Sequence, residues 1–159
     1  MRRILAATLV AVPAAGLAQY EGAPEYAVEG EPAYDVGIPA KSEPRVFFLN
    51  LMDGETVSSP VFVEFGMVGA TVWPAGEEMI EGAMTAHHHL LINRDVNSIT
   101  PGEPMPAEPD LIHFGDGGTF TTLDLPPGAH TLQLVAADDN HVPLDPMVAS
   151  QVLTITVAE

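Results

Sequence analysis

The chain has 159 residues and no cysteine, and its 22 acidic residues against five basic ones give a formal net charge of −17 at pH 7. That length favours one domain with appendages, and the missing thiols exclude disulfides and a lipid anchor on cysteine. The acidic balance excludes nucleic acid and anionic lipid as partners, while it attracts cations.

Residues 1–18 read as a secretory signal peptide. Arg2 and Arg3 supply the positive end, Ile4 to Leu17 is an apolar run, and Gly16 and Ala18 place small residues at the cleavage positions before Gln19. The run is short for a bilayer span. The expected location is therefore periplasmic or secreted, with no membrane contact after cleavage. Cleavage would leave Lys41, Arg45 and Arg94 as the basic residues. Residues 19–44 read as an acidic, proline-rich disordered spacer. They hold Pro24, Pro32, Pro39 and Pro44, six acids against one lysine, and no apolar period. Such a segment buries too little surface to offset its ordering entropy. All three tyrosines, Tyr20, Tyr26 and Tyr34, lie in it, where they could dock on a periplasmic protein partner or on the domain.

From Arg45 the texture changes, and residues 45–159 read as one β domain. Val46-Phe47-Phe48-Leu49 is a short apolar strand bounded by the Asp53-Gly54 turn signal. After Pro60, residues Val61, Val63, Phe65 and Met67 point one way while Phe62, Glu64 and Gly66 point the other. Thr71 to Ala86 has no clean period and reads as a long loop. His87 to Asn93 is a third strand, and Ile99 to Asp110, with four prolines, is irregular. Leu111 to Phe114, Thr119 to Leu125, His130 to Ala136 and Gln151 to Val157 complete about seven strands, with no convincing helix. This pattern predicts an all-β fold: an antiparallel β-sandwich of immunoglobulin or fibronectin type, with a barrel as the main alternative.

The six histidines, His87, His88, His89, His113, His130 and His141, all fall in this domain. Imidazole is the commonest protein ligand for zinc and suits copper equally. On a strand, His87 and His89 share one face, about 7 Å apart along the chain, and can converge on one ion. His88 points to the other face with Leu90 and Ile92. His113, before a glycine-rich turn, and His141, in a loop with Asp138 and Asp139, are the expected completers of a copper or zinc site placed near strand ends. His88 and His130 are expected as supporting or core residues, hydrogen-bonded where buried. Met79, Met84, Met105 and Met147 lie in or near loops, where a thioether suits copper(I) but plain gap-filling explains methionine as well. No calcium-loop spacing, phosphate loop or nucleophile motif emerges, so no catalytic residue is assigned.

The strings His87-His88-His89-Leu90-Leu91-Ile92, His113-Phe114-Gly115, Pro127-Gly128-Ala129-His130-Thr131-Leu132-Gln133-Leu134 and Asn140-His141-Val142-Pro143 together resemble a bacterial exported family, domain of unknown function 4399. The likeness covers residues 46–157 and brings no established activity. In that family's pattern a further histidine often follows Asn-His-Val-Pro, where this chain has Leu144. A looser resemblance, to copper-zinc superoxide dismutase, rests on the acidic exported β-sandwich with His87-x-His89. That family relies on a disulfide, which this chain cannot form. Two readings follow: a metal carrier, buffer or sensor for copper or zinc, or a structural or protein-interaction module whose histidines are each packed or hydrogen-bonded separately.

Overall fold

The computed structural model describes residues 42–159. The expected signal peptide over 1–18 and the spacer up to residue 41 lie outside the described residues. Within them the fold is all-β. The strands are β1 (Arg45–Phe48), β2 (Glu55–Val57), β3 (Val61–Val68), β4 (Thr71–Val72), β5 (Thr85–Ile92), β6 (Leu111–His113), β7 (Phe120–Leu123), β8 (Gly128–Ala137) and β9 (Leu153–Val157). A single 3-10 turn, Val96–Ser98, starts where the Asp95 carboxylate accepts from the Asn97 amide. Among the described residues no helix is long and apolar enough to cross a membrane.

Two sheets form. The smaller runs β1-β3-β7, both pairings antiparallel. The larger runs β2-β9-β8-β5-β4, with β6 also on β5. The amides of Trp73 and Phe114 donate to the carbonyls of Ala86 and His88, two residues apart on β5. Alternate carbonyls of a strand point to one side, so β4 and β6 lie end to end along the same edge of β5, opposite β8.

The period-two reading of β3 is correct: Val61, Val63 and Phe65 are buried and Phe62 is exposed. In β9 likewise, Leu153, Ile155 and Val157 are buried and alternate with exposed Thr154 and Thr156. Two short elements were not expected. Thr71 to Ala86 is not loop throughout, because β4 pairs parallel with the first residues of β5. Likewise β2 pairs parallel with β9. Pairings of two or three residues carry too little periodicity to stand out in sequence.

One core joins the sheets. Val46, Val61, Val63, Phe65 and Leu123 of the small sheet pack with Leu90, Leu132, Leu134, Ala136 and Ile155 of the large one. The large sheet has a second apolar layer on its other face. There Leu91, Leu111, Val135 and Ala137 pack under Ile99 and Met105, from the proline-rich segment after the 3-10 turn. Strands β5 and β8 are therefore covered on both sides, which explains why their burial is nearly continuous. Arg94 anchors the covering segment through ion pairs to Glu108 and Asp110 and a hydrogen bond to Ser98.

Candidate metal centre

Register decides which imidazoles meet. In β5 the side chains of His87, His89 and Leu91 share the outer face of the large sheet, and His88 and Leu90 share the inner one. Across the β5–β6 ladder His113 stands directly opposite His89, and Leu111 opposite Leu91. His113 therefore reaches the outer face as well. Its ring stacks on His89 with centroids 4.9 Å apart at 27°.

His141 arrives from the turn after β8. Asp138 builds this turn: its carboxylate accepts from the amides of Asn140 and Val142, and its carbonyl from the His141 amide. His141 sits at φ 65, in the left-handed region that few non-glycine residues enter. That conformation carries its ring to within 4.4 Å of His113 and 5.2 Å of His87, centroid to centroid.

Four rings are thus in mutual contact. Three of them, His87, His113 and His141, each offer a nitrogen, and the three nitrogens lie within 4.8 Å of one another. The Nε2 atoms of His87 and His113 are 3.2 Å apart. Two nitrogens bound at about 2.0–2.1 Å to one tetrahedral zinc are separated by about 3.3 Å, so this pair already has the spacing of two ligands on one ion. His89 lies against the group, 4.9 Å from His87 and 6.1 Å from His141 between centroids. Its Nδ1 is buried without a hydrogen-bond partner.

His87, His89 and His113 are held neutral. Burial first, then the neighbouring His113 and His141, push His87 down to about 4, with Asp138 and Asp139 opposing. Burial first, then His87, His113, His141 and His88, push His89 down to about 3. Burial and His141 lower His113 too, against Asp116. A neutral imidazole has a lone pair free for a metal, with no proton to displace near pH 7.

One oxygen of each nearby carboxylate is engaged by a loop amide. Asp139 accepts from the Gly76 amide, Asp116 from the Gly118 amide, and Asp138 as described above. Gly115 has a role invisible in the sequence: a Cβ there would overlap the His113 ring. Only a glycine two residues on leaves the ring its place.

The four residues expected as metal ligands are therefore brought together. The site lies near strand ends, as expected: His113 closes β6, His141 follows the end of β8, and His87 stands opposite Ala137, the last residue of β8. The other two histidines are elsewhere. His88 is buried on the inner face, edge-on to Phe65 at 4.9 Å. The expected hydrogen bonding is absent there. The backbone of Gly66 and Gly118 flanks the ring and partly offsets the lowering of its pKa by burial. Neither ring nitrogen, however, makes a hydrogen bond of good geometry. His130 is a structural residue: its Nε2 donates to the Pro126 carbonyl and its Nδ1 accepts from Asn93.

Residues 63–158, from β3 to just past β9, match the family described as Domain of unknown function (DUF4399). The chain belongs to this family. All six histidines lie inside the DUF4399 match, and β1 and β2 lie before it. Leu144, where a further histidine was the pattern implied by resemblance, packs against the inter-sheet core and not among the imidazoles. No curated protein and no solved structure matches this DUF4399 chain.

Proposed function

We propose that this protein is an exported metal-binding protein that holds one copper or zinc ion as carrier, buffer or sensor. The observation that carries the reading is the convergence of His87, His113 and His141, with three nitrogens within 4.8 Å. A structural module would pair each histidine with backbone or carboxylate, as His130 is paired. The outer-face rings instead face one another. Gathering four imidazoles desolvates polar groups without giving them backbone partners, a cost that a bound ion offsets. Three protein nitrogens leave a fourth position on a tetrahedral ion for a further ligand. The acidic surface favours approach of a cation.

The test is metal stoichiometry after equilibrium dialysis with zinc(II) or copper(II), on the wild type and on His113→Ala, His87→Ala and His88→Leu. One ion per chain is expected in the wild type and in His88→Leu, with at least tenfold weaker binding in the first two variants. Equal binding by all four proteins would remove the assignment.

A further inference from the structure

Beside the imidazoles lies a cavity of about 280 Å³, walled by His89, His113 and His141 on one side and by Pro104–Ala107 on the other. We propose that Met105 supplies a thioether ligand from this wall and makes the centre a copper(I) site in preference to zinc. This rests on the reading of the imidazole cluster as a metal centre.

The first argument is elimination. Besides the imidazoles, the cavity wall consists of Pro104, Met105, Pro106 and Ala107. Methionine sulfur is the one donor side chain among these four. The carboxylates near the cluster, on Asp116, Asp138 and Asp139, do not line this cavity.

The second argument is preorganisation. Met105 stands between two prolines, which fix their own φ and restrict the residue before Pro106 to extended backbone. Its amide donates to the His141 carbonyl at 3.0 Å, so the thioether and one imidazole are carried by loops tied to each other. Met105 is held in place by packing in the second apolar layer and is 7% exposed.

The third argument is charge. Imidazole and thioether ligands contribute no negative charge to the ion. A ligand set that brings no negative charge leaves a monovalent ion with less uncompensated charge than a divalent one. Thioether and imidazole are also ligands that copper(I) accepts, whereas a structural zinc site draws on thiolate, imidazole or carboxylate.

The experiment uses the purified protein loaded anaerobically with one equivalent of copper(I). X-ray absorption at the copper edge is expected to show a sulfur neighbour. The chain contains no cysteine, so sulfur in the shell must come from methionine. In Met105→Leu, which keeps the side-chain volume nearly constant, the sulfur signal should vanish. Competition against a chromophoric chelator should then show copper(I) affinity lowered ten- to a hundredfold, with zinc(II) affinity within about twofold of wild type. A nitrogen-only shell in the wild type, a sulfur shell that persists in Met105→Leu, or unchanged copper(I) affinity in that variant would overturn the role of Met105 and leave the imidazole site standing. Failure of the wild type to bind either ion would overturn both readings.

Discussion

The amide of Met105 donates to the carbonyl of His141 at 3.0 Å. This one bond ties the segment that covers the outer face of the large sheet to the turn that supplies the last imidazole. The cluster is thus assembled from three distant stretches of chain: β5, β6 and the turn after β8. Its geometry depends on parts that do not themselves touch an ion.

Gly115 is the clearest such part. Gly115→Ala places a methyl group where the His113 ring now lies. The ring must rotate away, because a Cβ cannot move without its backbone, and Gly115 is held by its carbonyl accepting from Ala75. Zinc(II) affinity, read by chelator competition, should fall at least tenfold, while the far-ultraviolet circular dichroism stays that of the wild type. Wild-type affinity in this variant would show that His113 is not a ligand.

His130 separates structure from site. Its ring bridges the Pro126 carbonyl and the Asn93 side chain, and Asn93 in turn accepts from the Thr131 amide. His130→Ala removes both ring hydrogen bonds and should cost about 1–3 kcal/mol in urea unfolding. Metal stoichiometry should stay at the wild-type value. A stability change below a few tenths of a kcal/mol would contradict the bridging role.

His88 tests the opposite sign. Its two ring nitrogens are buried without partners beside Phe65, and an unsatisfied buried polar group is destabilising. His88→Leu should therefore raise the melting temperature or leave it unchanged, by up to about 1 kcal/mol of added stability. A fall of several degrees would mean that the imidazole has a partner in solution.

Acid should weaken the metal-free protein before its carboxylates titrate. In the unfolded chain the histidines take up protons near pH 6.5, whereas in the folded protein His87 and His89 resist until about 4 and 3. Between those values the unfolded state binds more protons, so stability falls as pH drops from about 6.5 and is fully present above it. The loss is of the order of a few kcal/mol across that window. Urea midpoints at pH 7.5 and pH 5.5 measure it, and His89→Asn should flatten the dependence. A midpoint equal at both pH values would contradict the burial of neutral rings.

Much of the fold was legible because β3 and β9 alternate cleanly and turns punctuate the chain. The pairing of His87 with His89 followed from the same period of two. Two facts were not legible. That His113 stands opposite His89 is a matter of register between strands with about twenty residues between them, and local pattern does not set it. That His141 turns inward depends on a left-handed residue held by Asp138, which no spacing in Asp138-Asp139-Asn140-His141 reveals. The proline-rich segment is irregular, as its four prolines predict. Its role as the lid of a second apolar layer depends on Ile99 and Met105 finding Leu91 and Leu111 in three dimensions.

The most direct test of the central claim is thermal unfolding of the chelator-treated protein at pH 7.5, with and without zinc(II) or copper(II) at about a hundredfold excess over the dissociation constant. Binding to the folded state alone adds about 2.7 kcal/mol at that excess. This should raise the melting temperature by roughly 10 °C for a domain of this size, with one ion per chain and reversal by chelator. No shift with either ion, and no retained metal, would contradict the account and leave the outer-face histidines as packing residues.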